Sequence, residues 1–172
     1  TGTLTQNKMT ELKVYAYGKL QSVVQEEITD KDEVGKEFDK LIKGFIYCSD
    51  AEVTETGRIG DPTELALVDL GIEFDISKNG IYDNAPRINE RAFDSDRKLM
   101  TTVHKDKTSG KITADTKGAV DRLIPLCTKI ADSEESVRSL TDADKEKIGQ
   151  ASREMAESAL RVLALAYKEN DD

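Results

Sequence analysis

The sequence predicts an α+β domain, a mainly antiparallel twisted sheet flanked by helices. Two observations carry that expectation. Short alternating runs cluster in the middle of the chain, at Ile88–Phe93, Leu99–His104 and Lys111–Lys117, and the polar segment Lys105–Gly110 joins the last two as a hairpin-type turn. Around them apolar residues recur at helical intervals, as at Val34, Phe38, Leu41, Ile42, Phe45 and Ile46. The 172 residues fit one domain.

The elements follow in order. Lys13–Tyr17 alternates as a strand, and Gly18-Lys19 turns it into Leu20–Val24. The stripe from Val34 to Ile46 forms a helix, capped by Thr29 or Asp30. Glu52–Gly60 reads as a loop. Asp61 suits the N-cap of the next helix, Pro62 its first position, and Glu64 the reciprocal place in a capping box. Leu65, Leu67, Val68 and Leu70 form its buried side until Gly71 ends it, and Asn79-Gly80 signals a turn. Beyond the central strands, Gly118–Leu126 reads as a helix with Ala119, Leu123 and Ile124 inward. Ser133–Ser139 reads as a loop or an irregular helix start. Thr141–Asp144 resembles a capping box opening a long helix through Ile148, Ala151, Met155 and Ala159. The apolar run Arg161–Tyr167 suits a strand buried on both faces.

Composition excludes several function classes. The net charge of −9 argues against nucleic acid as a partner, because a phosphate backbone requires a basic face. No stretch approaches the ~18–20 apolar residues of a membrane span, and no secretory signal is present, so a soluble, intracellular piece is expected. Cys48 and Cys127 lie beside aliphatic residues and read as buried, reduced thiols. His104 is the single histidine and there is no Cys-x-x-Cys, so a structural zinc site is not expected. Phosphate loops, dinucleotide fingerprints and nucleophile elbows are also missing from the sequence.

Five segments define a resemblance. Thr1-Gly2-Thr3-Leu4-Thr5 is similar to the end of Asp-Lys-Thr-Gly-Thr-Leu-Thr, the phosphorylation motif of P-type ATPases. Gly60–Leu67 resembles the Gly-Asp-Pro-Thr-Glu segment of calcium-transporting P-type pumps, and Phe93–Met100 their Phe-x-Ser-x-Arg-Lys-x-Met segment. Thr116–Ala119 matches their Lys-Gly-Ala motif, and Arg161–Ala166 resembles the arginine-led strand near the end of their nucleotide-binding domain. The five occur in family order along the whole chain. The resemblance implies residues 1–9 as the truncated end of the phosphorylation motif and hinge, and residues 10–172 as the nucleotide-binding domain. It places the family's nucleophilic aspartate just before Thr1, with no catalytic residue and no metal ligand in this chain.

The resemblance also assigns nucleotide-binding roles. Phe93 would stack on adenine, Glu64 would accept from the adenine amino group, Lys117 and Gly118 would floor the pocket, and Lys98 and Arg161 would serve the phosphates. Each residue has a plainer reading. Phe93 would pack into a core, but the polar run Asp94–Lys98 puts it where a strand meets solvent. Lys98 and Lys117 would be surface lysines, Glu64 a capping-box acid, and Arg161 a partner of Glu157. Gly118 would permit close backbone approach to a ligand. Ser95 departs from the arginine that some family members carry, which suggests somewhat weaker nucleotide binding, and Val120 departs from the proline that many carry, which bears on the turn after the pocket more than on the pocket.

The implied function is to hold ATP by its base and present the γ-phosphate, with Mg2+, to an aspartate on the neighbouring phosphorylation domain. A clamp on that phosphate would hinder delivery, which fits the missing phosphate loop. Implied partners are ATP and the phosphorylation and actuator domains of the same polypeptide, with membrane contact only through an absent transmembrane region. The implied location is the cytoplasmic face of a membrane. This piece alone is expected to bind ATP weakly, to hydrolyse nothing, and to have its two ends close together. The alternatives are an interaction module with a weakened nucleotide site and, less in keeping with the residues, a self-sufficient kinase or phosphatase. Calcium as the transported ion rests on the subgroup resemblance at Gly60–Leu67 and Phe93–Met100.

Overall fold

The computed structural model describes residues 13–16, 19–22, 31–131, 136–157 and 162–170. Its centre is an antiparallel sheet of four strands in the order β10-β7-β6-β5, formed by β5 (Arg87–Asp94), β6 (Leu99–Lys105), β7 (Ile112–Gly118) and β10 (Ala164–Asn170). The α+β class expected from the alternating middle of the chain is therefore observed. Three small hairpins surround the sheet: β1 (Lys13–Ala16) with β2 (Lys19–Ser22), β3 (Glu52–Thr54) with β4 (Gly57–Ile59), and β8 (Lys129–Ala131) with β9 (Val137–Ser139). The first was expected. The second replaces the expected loop at Glu52–Gly60; within the segment Ser133–Ser139, expected as a loop or an irregular helix start, Val137–Ser139 form a strand and positions 133–135 lie outside the described residues.

Helix α1 (Lys31–Tyr47) lies on one face of the sheet and buries Ile42 and Ile46. Its expected caps, Thr29 and Asp30, lie outside the described residues. Helix α2 (Pro62–Glu73) begins as expected: the Asp61 carboxylate accepts from the Thr63 amide at 2.8 Å, and Pro62 takes the first turn. It does not end at Gly71. A Cβ at that position would strike Ile46 Cδ1, so the glycine lets α2 pack closely on α1 and the helix continues to Glu73. Asn79-Gly80 is not a free turn but lies inside α3 (Lys78–Asn84), because the Ser77 hydroxyl accepts from the Gly80 amide at 3.0 Å and starts a helix there. Helix α4 (Val120–Leu123) covers only part of the helix expected at Gly118–Leu126. Pro125 follows it in a tight 3-10 turn, Ile124–Leu126, and of the three expected inward residues only Leu123 is fully buried.

Helix α5 (Asp142–Glu157) is opened by a complete capping box. The Asp144 amide donates to Thr141 Oγ1 at 3.2 Å and the Thr141 amide donates back to Asp144 Oδ2 at 3.0 Å. Arg138 of β9 grips the same carboxylate through both terminal nitrogens, at 2.5 and 2.7 Å. With Arg138 as the first cause, these donors hold the Asp144 carboxyl far below the ordinary carboxylate range.

Strand β10 is an edge strand, and Ala164–Tyr167 are half-buried rather than enclosed on both faces. Strand β5, the other edge, is exposed along most of its length. The face that α1 covers is polar. Thr102, His104, Asp115 and Lys117 are all buried there, beside Cys48 and Ser49. Most of these polar groups have partners. Thr102 Oγ1 lies 3.2 Å from Tyr47 O, and His104 bridges Ala85 O and Thr102 Oγ1 at 3.0 Å each. A carbonyl only accepts, so His104 carries a proton on Nδ1, and in the neutral ring Nε2 takes the single Thr102 hydroxyl proton, which is then not donated to Tyr47 O. Burial lowers the His104 pKa and keeps this neutral form. Both cysteines are free, as expected. Cys48 is fully buried, its thiol pushed up to about 11 by burial, whereas Cys127 is only partly covered.

Candidate functional site

The register of the sheet brings distant segments to one end of it. Leu99 pairs with Gly118, Gly118 with Ala164, and Asp94 with Leu99. One residue further in, Lys117 pairs with both Met100 and Leu165. Between Arg91 and Asp94 the β5–β6 register shifts, so that Ala92 and Phe93 together oppose Met100. Phe93 and Lys117 therefore stand in one row across the sheet, two strand spacings or about 10 Å apart at the backbone.

At that end Phe93 is 63% exposed on the edge strand, so it does not serve as core. Lys117 differs, because its side chain is only 8% exposed and its ammonium lies 2.8 Å from Glu64 Oε1 of α2. The second Glu64 oxygen accepts from the Asp50 amide at 3.1 Å. The expected capping-box role of Glu64 is therefore not what the structure shows, since its carboxylate points at the turn after α1 and at Lys117 instead of at the Asp61 amide.

Lys98 is exposed and sits at φ 57°, a left-handed conformation that side chains rarely adopt. The β5–β6 turn imposes it. Lys98 N donates to Asp94 O at 2.6 Å, while the Asp94 carboxylate accepts from the Asp96 and Arg97 amides at 2.7 and 3.3 Å. Arg97 folds back onto Leu99 O at 2.9 Å, leaving Lys98 as the cation of this turn that faces solvent. Gly118 has a structural reason that the sequence did not suggest. A Cβ there would collide with Lys98 O and crowd Leu99, so the missing side chain serves the β6–β7 pairing directly. Arg161 lies outside the described residues.

The structure thus gathers Glu64, Phe93, Lys98, Lys117 and Gly118 around one end of the sheet. Sequence reasoning missed Asp50, whose contribution is a backbone amide that no side-chain pattern reveals, and Met100, which lies in the row between Phe93 and Lys117. Among the described residues no group of three or more His, Cys, Asp or Glu side chains could hold a metal ion, and no helix is long and apolar enough to cross a membrane.

An antiparallel four-stranded sheet backed by helices, with an exposed phenylalanine on its edge strand and a buried lysine–glutamate pair at the same end, defines a domain of the α+β class. Residues 37–172 match the family described as P-type ATPase, cytoplasmic domain N, and the chain belongs to that family. It is 40% identical over 169 residues to calcium-transporting ATPase 1 of Bacillus cereus, covering 98% of this chain and 18% of that protein. It is 34% identical over 173 residues to calcium-transporting ATPase 1 of Lactococcus lactis, covering 100% of this chain and 19% of that one. A calcium-transporting ATPase of Listeria monocytogenes is 35% identical over 171 residues, 98% of this chain and 18% of the relative. The chain spans about a fifth of the length of these relatives.

Proposed function

We propose that this chain is the part of a cation-pumping P-type ATPase that holds ATP by its base, and that the pump carries calcium. The observation that supports this reading most is the row Phe93–Met100–Lys117 with Glu64 closing one side. It offers an aromatic face, a cation and a carboxylate oxygen within the reach of one purine. Stacking on an exposed ring contributes about 1–3 kcal/mol per base, enough for a weak site without a phosphate loop. Lys98, in its solvent-facing turn, and Arg161 would meet the phosphates. Mg2+ would arrive on those phosphates and supply charge neutralisation there.

A base-holding site leaves the γ-phosphate free, so the domain can present it to an aspartate on a phosphorylation domain of the same polypeptide, at the cytoplasmic face of a membrane. The transfer moves the phosphoryl group from ADP oxygen to carboxylate oxygen and leaves ADP. The chain by itself binds ATP weakly and turns none over. Calcium as cargo rests on the names of the relatives.

Titrating Mg·ATP into labelled protein tests the site. Amide signals of Phe93, Lys117 and Gly118 are expected to move in a saturable way. Phe93→Ala should weaken binding about 5- to 100-fold, the equivalent of one lost stack, while leaving urea unfolding unchanged. Unmoved signals at all three positions would overturn the reading in favour of an interaction module.

A further inference from the structure

Asn79-Gly80 is the single Asn-Gly pair in the sequence, and both residues are exposed. In a free chain this pair is chemically labile. The Gly80 amide nitrogen attacks the Asn79 side-chain carbonyl carbon, and the new C–N bond closes a five-membered succinimide. The Asn79 side-chain nitrogen leaves as ammonia, taking with it the proton of the Gly80 amide. Water then opens the ring to aspartate or isoaspartate. Glycine favours the attack because it has no side chain to obstruct it and lets the backbone turn into the ring.

The fold opposes each requirement of that attack. Both residues lie in the first turn of α3, whose helical backbone holds the Gly80 nitrogen away from the Asn79 carbonyl carbon. The attacking nitrogen is also engaged, since its N–H donates to Ser77 Oγ at 3.0 Å. A Cβ at position 80 would stand 2.7 Å from that oxygen. The glycine that makes the pair labile thus also makes room for the hydroxyl that protects it.

This protection is local. Helix α3 is seven residues long and buries none of them fully, and a helix of that length does not persist by itself. Its side chains hold it to the turn after α1. Lys78 Nζ donates to Ser49 O and Ala51 O at 2.8 Å each, and the Tyr82 hydroxyl donates to Tyr47 O at 2.7 Å. At the first turn the backbone is held by the Ser77 cap and by the Ile81 amide, which donates to Ser77 O at 3.1 Å. Exposed segments held by so few bonds open without unfolding of the whole domain.

We propose that Asn79 is a site of spontaneous deamidation, gated by local opening of the first turn of α3 and restrained by the Ser77 cap. The two products differ in effect. Aspartate at position 79 puts a negative charge in the first turn, where a helix favours it, and α3 survives. Isoaspartate routes the main chain through the side-chain carbons and lengthens it, so the Ile81 amide no longer meets the Ser77 carbonyl. Lys78 and Tyr82 then lose their common register on the turn after α1. That turn carries the Asp50 amide bonded to Glu64 Oε2, so isoaspartate at position 79 loosens Glu64. The lesion does not depend on the nucleotide reading.

The test ages the full 172-residue chain in mildly alkaline buffer beside the free peptide of residues 77–83. Mass spectrometry of digests follows conversion at Asn79, and an isoaspartate-specific methyltransferase scores that product. The chain is expected to convert about tenfold or more slowly than the peptide. Ser77→Ala should speed conversion about 2- to 30-fold, the change in open population that loss of a cap brings. Ser77→Asp keeps an accepting oxygen and should stay near the unaltered rate. In isoaspartate-bearing protein the Asp50 and Glu64 amide signals should move, while Asn79→Asp leaves them in place. Conversion as fast as the peptide's, no conversion over many peptide half-lives, or equal rates in Ser77→Ala and Ser77→Asp would overturn the proposal. Unmoved Asp50 and Glu64 signals in the isoaspartate form would overturn its link to Glu64. The comparison of chain with peptide uses the unaltered protein, so it decides even if Ser77→Ala fails to fold.

Discussion

The Asp50 amide donates to Glu64 Oε2 at 3.1 Å, and this bond ties the acid of the lysine pair to the turn that follows α1. That turn is itself held by two cations. Arg87 Nη2 reaches Tyr47 O and Ser49 O, each at 3.2 Å, while Arg87 Nη1 meets the Asp50 carboxylate at 2.9 Å. Lys78 Nζ donates to Ser49 O and Ala51 O at 2.8 Å each. The last carbonyl of α1, Tyr47 O, has no intrahelical donor, and Arg87 of β5 and the Tyr82 hydroxyl of α3 supply it. The orientation of Glu64 therefore depends on residues outside the row of Phe93 and Lys117.

Arg87→Met should accordingly reach the site from a distance. It removes a fork that no apolar chain replaces, and a loss of about 2–3 kcal/mol in urea unfolding is expected. The amide signals of Asp50 and Glu64 should shift with it. Arg87→Lys should recover only part of the loss, because a point charge cannot serve carbonyls and carboxylate in a planar fork. Full recovery by lysine would mean that charge alone matters here.

The Lys117–Glu64 pair should respond asymmetrically. Glu64→Ala leaves a lysine that is 8% exposed without a carboxylate, whereas Lys117→Met leaves Glu64, at 17%, still bonded to the Asp50 amide. Losing one partner of a fully buried pair costs about 3–5 kcal/mol, and this pair at the edge of burial should show about 1–3 kcal/mol. Glu64→Ala is expected to be the worse of the two by chemical denaturation. Equal losses would show that the ammonium finds water once the acid is gone.

Gly118→Ala separates two explanations of one glycine. If the missing Cβ serves only an incoming ligand, the variant folds normally and loses ATP affinity alone. The close approach of Lys98 O predicts instead a stability loss of about 1–3 kcal/mol, from overpacking against backbone that has nowhere to go. Thermal unfolding without nucleotide reads the difference, with signals of Lys98 and Leu99 moving most.

What the sequence made legible was local chemistry. Asp61-Pro62 and the Thr141–Asp144 box announce helix starts through bonds made within a few residues, and both form. The β6–β7 hairpin follows from alternation about a polar turn. The misses have tertiary causes. Gly71 looked like a stop because nothing nearby shows that Ile46 of another helix needs its space. Asn79-Gly80 looked like a turn, but Ser77 caps a helix across it and Tyr82 anchors that helix by donating to Tyr47 O at 2.7 Å. The three-residue strands of β3–β4 and β8–β9 are too short for alternation to register. At the site, the capping-box pattern ties Glu64 to its own helix, whereas its partners come from positions 14 and 53 residues away. On β7 the polar set Thr113, Asp115 and Lys117 would by pattern face water, yet α1 covers that side.

The buried acid that results should leave a signature in stability against pH. The Asp115 carboxyl rises from an ordinary value of 3.8 to about 7 because folding strips its water. The folded protein thus holds this proton more tightly than the unfolded chain does. The stabilisation is complete below the unfolded value, declines as pH rises through the interval, and is gone above the folded value. A shift of this size corresponds to stability on the order of 2–4 kcal/mol lost between about pH 4 and about pH 7. Other groups act alongside it. The lowered carboxyls of Asp94, Asp106, Asp144 and Glu169 contribute stability that disappears as pH falls below the ordinary carboxylate range. Neutral His104 is disfavoured as pH drops below 6.5, which opposes Asp115 within part of its window. The informative quantity is therefore the difference between the unaltered chain and Asp115→Asn, in which those contributions cancel. Urea unfolding of both, from about pH 4 to about pH 8, should give Asp115→Asn its greatest relative gain at the alkaline end. Parallel profiles across that range would show that the carboxyl titrates at its ordinary value, and that water reaches it in the folded protein.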